Sequence, residues 1–256
     1  MSLDDATQER FTESAERLAA LGEKRIEGLR ARAADLLEPL GHEVALDAAT
    51  GTGPFAIALA PLVRTVLGVD AVGAMLDEAR RLGAAFPNLS FREGSVYDLP
   101  VETESVDIAA IVRTLHHLER PERALEELTR VLAPGGKLVV IDQLVSEDER
   151  EAALYERIER MRDPSHVRTL PDSAVRRLID ASGSELLSAT VEAEPRKLSV
   201  FLELAGCDGA QRSAVVDYAQ ELIDTGETAG VELRDSEDGI RFTGRVGFYV
   251  GVKPGA

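Results

Sequence analysis

The stretch LDAATGTGPFAIALA, Leu46 to Ala60, decides the fold. It continues an apolar run that starts at Glu43, and EVALDA (43–48) reads as a short strand. Gly51 and Gly53 then supply a tight turn. Pro54 suits the first position of a helix, where its missing N–H would have no partner anyway, and PFAIALAPLV (54–63) reads as that helix, buried. The rhythm repeats downstream. RTVLGVD (64–70) is a strand and GAMLDEARRLGAAF (73–86) a helix. LSFREG (89–94) and VDIAAIV (106–112) are strands separated by the loop YDLPVETES. PERALEELTRVL (121–132) is an amphipathic helix and GGKLVVID (135–142) a fifth strand. Near-continuous apolar strands alternating with helices specify a parallel α/β sheet covered on both faces, with right-handed crossovers.

Upstream, Leu18, Leu21, Ile26, Leu29, Ala33, Leu36, Leu37 and Leu40 recur at helical spacing, and Pro39 and Gly41 close that section. After Asp142 the rhythm changes. Residues 147–162 read as a charged helix, 163–171 as a loop, and 172–183 as a helix with Asp172 as N-cap and Gly183 as its stop. Residues 185–193 read as a strand, 197–204 and 210–224 as helices, and 235–253 as a turn at Asp238-Gly239 leading into a long last strand. One domain is expected over 1–256: an N-terminal helical cap (1–42), a core bearing the glycine turn (43–142), and insertion helices with C-terminal strands (143–256). The cap and the 143–170 insertion should lie over the carboxyl edge of the sheet, where ligands bind in such folds.

Composition narrows the function. The 256 residues, 44% hydrophobic, can bury a sizeable core. No apolar run approaches the ~18 residues needed to span a membrane. The polar, acidic start MSLDDATQERFTESAERL lacks the pattern of a signal peptide. Cys207 is the single cysteine, which excludes an intramolecular disulfide and thiolate-rich metal sites and fits a cytoplasmic location. The four histidines show no metal-ligand spacing, so no metal is expected. A formal net charge of −17 disfavours nonspecific binding of nucleic acid.

What the glycine turn holds depends on two carboxylates. Asp70 ends the second strand, nineteen residues after Gly51, where it can accept both hydroxyls of an adenosine ribose. That serves NAD and S-adenosylmethionine equally. Asp47 separates them. In a dinucleotide site the end of the first strand faces a pyrophosphate, which a carboxylate would repel in a poorly screened pocket. S-adenosylmethionine presents a sulfonium and an ammonium there instead, while the turn amides can receive its carboxylate. The alternative for Asp47 is a cap bonded to loop amides.

LDAATGTG, GVDAVGAML and EGSVYDLPVETESVDIAAIVRTLHHLERPERALEELTRVLAPGGKLVVID, in order from about Glu43 to Asp142, resemble the class I S-adenosylmethionine-dependent methyltransferases. The branch resembled is methyltransferase type 11, related to the ubiquinone/menaquinone methyltransferases. RMRDPSHVRTLP also resembles a subset of bacterial members of that branch. The resemblance implies a Rossmann-like, seven-stranded, mostly parallel sheet with an antiparallel last strand and helices on both faces. It implies S-adenosyl-L-methionine as cofactor, with Asp47, Gly51 and Gly53 against the methionine part, Asp70 on the ribose, and Ala71 and Met75 near adenine. Ala49, Thr50 and Gly94 are placed with these contacts. Many relatives carry an acid after this last glycine; here stands Ser95, which leaves Ser95 or the Val96 amide to contact adenine. Arg113 is assigned to the same site, where it could also bind an acidic acceptor; a salt bridge to a helix carboxylate is its alternative.

Methyl transfer from a sulfonium is an in-line displacement that needs alignment and exclusion of water. A general base is needed only where the acceptor must lose a proton. Three histidines are candidates. His116 and His117 follow the fourth strand, and adjacent residues there cannot both point into the site. His166 lies in the 163–171 loop, flanked by Arg162, Asp163 and Arg168. For His116 and His117 the alternative is bonding to loop backbone, with one ring packed under the next helix; for His166 it is a self-capping loop in which Asp163 before Pro164 initiates a turn. The function expected is methylation of a small-molecule acceptor at oxygen, carbon or nitrogen, without nucleic-acid or membrane partners and with a homodimer as the assembly considered. Competing readings are methylation of RNA or protein, a noncatalytic cofactor-binding partner subunit, and a nicotinamide oxidoreductase. The acidic charge and the absence of an Asn-Pro-Pro-Tyr-type clamp near RTLH stand against RNA. Asp47 stands against the nicotinamide.

Overall fold

The computed structural model describes residues 5–255; the first four residues of the expected cap, and Ala256, lie outside the described residues. Two helices, α1 (Asp5–Glu23) and α2 (Ile26–Leu37), precede the sheet. The strands are β1 (Val44–Ala48), β2 (Thr65–Asp70), β3 (Leu89–Glu93), β4 (Val106–Val112), β5 (Leu132–Val145), β6 (Leu170–Pro171), β7 (Glu185–Lys197) and β8 (Arg241–Val252). Between them run α3 (Pro54–Leu59), α4 (Gly73–Gly83), α5 (Pro121–Val131), α6 (Glu149–Arg162), α7 (Asp172–Ala181), α8 (Leu198–Ala205) and α9 (Gly209–Thr225).

The strand order is β3-β2-β1-β4-β5-β8-β7. Pairs among β1 to β5 are parallel, and β8 runs antiparallel to both β5 and β7. One reversed strand in a seven-stranded path is the expected architecture. A two-residue eighth strand, β6, joins the end of β5 at Leu144 and Val145, inside the segment expected to be all loop. The chain leaves β1 on one side toward β2 and β3 and resumes on its other side with β4. That reversal opens a crevice at the carboxyl ends of β1 and β4, which is where ligands bind in such sheets.

Apolar alternation fills both faces. Leu46, Ala109 and Val140 pack with Leu125 and Leu128 of α5 and Ile179 of α7. Ala45, Ile108 and Val139 face the other way, onto Leu37 of α2 and Phe55 and Leu59 of α3. A further cluster joins α6, α8 and α9 through Tyr155, Phe201, Leu202 and Tyr218.

Several boundaries differ from expectation. Strand β5 runs over 14 residues because partners distant in sequence extend it: β4 pairs with it at Leu132, β8 from Lys137 to Leu144, and β6 at Leu144 and Val145. The same partner carries β7 on to Lys197. Helix α3 stops at Leu59, just before the Ala60-Pro61 step, where proline removes a donor. Asp172 is not an N-cap: Pro171 holds that position, and the Asp172 carboxylate accepts hydrogen bonds from the Tyr249 hydroxyl at 2.7 Å and Arg176 Nε at 2.8 Å. Gly183 does lie just past the end of α7, at φ +91.

Candidate active site

A cavity of about 830 Å³ occupies the crevice, within the range usual for small-molecule sites. Turns after β1, β2, β3 and β4 form its floor and walls, and α1 with the α1–α2 turn closes it from above. Asp47, Ala49, Thr50, Gly51, Asp70, Ala71, Met75, Gly94, Ser95, Val96 and Arg113 all line it. Gly53, assigned to the cofactor from sequence, does not. It sits behind the turn at φ +80, where an added Cβ would lie 3.0 Å from the Phe91 ring and 3.1 Å from Ala79. Its role is to let β3 and α4 close on the turn. Gly51, at φ +55, has no protein atom within 4 Å of an added Cβ. Ala49 (φ 53) and Arg113 (φ 56) also hold left-handed backbone, a strain that non-glycine residues seldom bear.

The two carboxylates are tied into these turns. Asp70 accepts from the Gly51 amide at 2.8 Å and the Val72 amide at 2.9 Å, one on each oxygen, which joins the first turn to the second. Its burial pushes its pKa up, against the pull of those amides. Asp47 uses only one oxygen. Oδ2 accepts from the Thr50 hydroxyl at 2.6 Å and the Ala56 amide at 3.1 Å, so the capping alternative describes half of this side chain. Oδ1 is buried and has no hydrogen-bond partner. Burial, only partly offset by those two bonds, lifts the Asp47 carboxyl to about 7. A buried acceptor without a donor costs free energy, and a ligand that brings a donor or a positive charge relieves that cost.

The histidines separate. A single 3₁₀ turn, Leu115–His117, carries two of them at the end of β4. His116 lines the cavity, and its Nδ1 lies 2.7 Å from Asp142 Oδ1. Asp142 is buried; burial alone would raise its pKa, but the facing His116, with Arg113 and the Gln143 amide, holds it below the ordinary value. An ionised Asp142 orients the His116 ring and leaves Nε2 as its free nitrogen. His117 also reaches the cavity, but its Nδ1 donates to the Ser165 carbonyl at 3.0 Å. Burial, reinforced by repulsion from His116, drops His117 to about 3, so it is neutral near pH 7. His166 is a correction to expectation. Its side chain is fully buried away from the cavity, with Nε2 held 3.1–3.2 Å from the Glu156 carboxylate, and it serves the packing of α6.

The 163–171 segment packs against the His116 turn through backbone bonds, and of its residues Asp163 alone lines the cavity. The His116 carbonyl accepts from the amides of Val167 at 2.9 Å and Arg168 at 3.1 Å. Arg10 of α1 reaches down to the same segment, 2.7 Å from both the Ser165 hydroxyl and Asp163 Oδ2. Farther along the cavity, Arg113 meets a strand carboxylate, Glu194 of β7, at 2.9 Å rather than one on a helix. Glu194 also pairs with Arg196, and the two guanidiniums pull it down to about 2 against its burial.

Sequence reasoning missed Asp142, Glu194, Arg196 and Arg25. Asp142 left a signal: it follows directly on Ile141, which pairs with Val112, so it stands level with the residues that open the His116 turn. Glu194 and Arg196 come from beyond the expected end of β7 and carry no motif. Among the described residues no cluster of side chains is suited to a metal ion, and no helix is long and apolar enough to cross a membrane.

Comparison with known proteins bears on the same residues. The methyltransferase domain family matches residues 46–140. The uncharacterized methyltransferase YcgJ of Bacillus subtilis is 33% identical over 129 residues, which is 50% of this chain and 51% of that protein. A demethylmenaquinone methyltransferase of Clavibacter sepedonicus is 31% identical over 170 residues, 66% of each chain. The chain thus spans about half of the first relative's length and just under two thirds of the second's. The crystal structure of the YcgJ protein superposes with a TM-score of 0.80 at 22% identity, covering 90% of this chain and all of that one, and so shares the fold.

Proposed function

Because the chain belongs to the class I S-adenosylmethionine-dependent methyltransferases, we propose that it methylates oxygen, carbon or nitrogen of a small-molecule acceptor bound in this cavity. The observation that carries the reading is Asp47: a buried carboxylate oxygen without a partner, on the cavity wall beside an open glycine turn. Such a group suits the cationic end of S-adenosylmethionine and repels a pyrophosphate. In this reading Asp47 would hold the ammonium or sulfonium, the Gly51 turn the methionine carboxylate, and Asp70 the ribose hydroxyls on its remaining lone pairs. Met75 and Val96 would flank adenine. The bound cofactor supplies a methyl group already activated on a sulfonium.

The rest is alignment and proton handling. His116 Nε2 would take the acceptor's proton, with Asp142 fixing the ring and steadying the imidazolium. His117 acts as a neutral strut to the 163–171 segment. The enclosed cavity and the acidic surface favour a small acceptor over nucleic acid. Residues of the cap, the core and the 143–256 segment all contribute to the wall, which supports their acting as one domain. One cysteine among 256 residues fits action in the cytoplasm. The demethylmenaquinone relative makes a quinone-like ring one acceptor class to try.

The test is a pair of variants. Asp70→Ala should weaken S-adenosylhomocysteine binding by roughly 1.5–3 kcal/mol, the worth of hydrogen bonds to a charged group. Asp70→Asn keeps an acceptor for only one of the two turn amides, so the unfolding midpoints of both variants are read beside their affinities to separate this loss from loss of the turn. Unchanged affinity in both variants would refute the ribose assignment.

A further inference from the structure

The far end of the cavity carries an excess of positive charge in a chain whose net charge is −17. Arg113, Arg196 and Arg25 line it together with one carboxylate, Glu194. One oxygen of that carboxylate, Oε2, accepts from both Arg113 and Arg196. Arg25, in the α1–α2 turn, makes no side-chain hydrogen bond or ion pair among the described residues. Its side chain is exposed at the mouth of the cavity, which it lines. Desolvation by the neighbouring wall still disfavours its charge, Arg113 and Arg196 add repulsion, and Glu194 alone opposes them. Three guanidiniums against one carboxylate leave two positive charges uncompensated in a partly enclosed space.

Like charges held this close cost free energy unless something neutralises them. Guanidiniums are suited to that task, because their planar fork matches a carboxylate or phosphate. The wall around them is apolar, with Phe201, Phe248 and Leu29 on the same cavity. The position also matters. Arg113 follows β4 and Arg196 stands on β7, so the cluster lies across the switch point from the β1 and β2 turns assigned to the cofactor.

We infer that the acceptor carries an oxyanion, a carboxylate or a phosphate, on an apolar body, and that Arg25, Arg113 and Arg196 hold it beside His116. This rests on the methyltransferase reading above. The other source of such an anion is the carboxylate of the cofactor itself, and the experiment distinguishes the two. The protein is saturated with S-adenosylhomocysteine, which occupies the cofactor's own carboxylate position. It is then titrated with 3-phenylpropionate, decanoate and phenyl phosphate, each against its neutral partner: the two amides and phenol. At least one anion should bind tenfold or more tightly than its partner. Arg25→Gln and Arg196→Gln should each erase most of that preference while changing S-adenosylhomocysteine affinity less than twofold. The unfolding midpoint of Arg25→Gln should not fall, since the side chain makes no bond in the free protein. No anion preference in any pair on the loaded protein overturns the proposal. So does loss of S-adenosylhomocysteine binding in the arginine variants, which would give these residues to the cofactor's carboxylate. Failure of the unaltered protein to bind S-adenosylhomocysteine would instead sink the methyltransferase reading beneath it.

Discussion

Asp47 meets the cavity with one oxygen satisfied and the other not, and that asymmetry makes its titration informative. An unfolded aspartate titrates near 3.8, whereas burial in the fold moves this one to about 7. Between those values the folded chain holds the extra proton, so what this group contributes to stability is largest below the lower value and declines as pH rises to about 7. A bound cation acts the other way, because it favours the ionised carboxylate. S-adenosylmethionine should therefore bind more tightly at pH 8 than at pH 6, with proton uptake by buffer on binding at pH 6, and Asp47→Asn should flatten that dependence. Equal affinity at the two pH values in the unaltered protein would remove Asp47 from the cationic end. The His116–Asp142 pair gives a separate prediction. Asp142→Asn should lower the turnover number roughly 10²-fold or more, the usual worth of a positioned base, with S-adenosylhomocysteine affinity unchanged. A loss in affinity with turnover intact would make the pair structural. At this scale the sequence was legible where a residue's chemistry conflicts with its place, as an acid does beside a phosphate-type turn. It was not legible for His166, whose partner Glu156 lies one helix away, so that the loop position alone could not tell a lid residue from a packed one.

The glycine turn between β1 and α3 shows what an element's pattern can and cannot specify. Strand, two glycines and proline announced the turn and the helix start correctly, because left-handed backbone and an orphan N-terminal donor require those residue types. The pattern did not say which glycine faces the ligand. Gly53 has its space taken by Phe91 and Ala79, while Gly51 opens onto the cavity. The two alanine variants should split accordingly. Gly53→Ala should lower stability by about 1–3 kcal/mol through strain and crowding, and leave affinity for S-adenosylhomocysteine nearly unchanged in the folded fraction. Gly51→Ala should cost about 1 kcal/mol of stability and weaken binding more. Thermal unfolding and titration of both variants check this; the reverse pattern would put Gly53 at the ligand. The ends of β5 and β7 were illegible for a related reason. Their length is set by pairing with strands distant in sequence, β8 for β7, and β4, β6 and β8 for β5, and not by local apolar runs.

Across the whole molecule, the parallel sheet covered on both faces and the carboxyl edge as the ligand side were readable from strand–helix alternation and the handedness of crossovers, whereas the reversed last strand was implied only by the family resemblance. The composition of the cavity was not. Its roof comes from the α1–α2 turn, its basic end from β7, and its base from a pair that bridges β4 and β5. Arg10 ties α1 to the segment after α6 across 155 positions of sequence. These pieces carry no shared motif, and only the fold brings them together. The central claim is that this assembled cavity is built for a cationic adenosine cofactor. Calorimetric titration of the full chain with S-adenosylmethionine, S-adenosylhomocysteine and NAD in parallel tests it most directly. The account predicts micromolar binding of the two sulfur ligands and none of NAD; binding of NAD alone would contradict it.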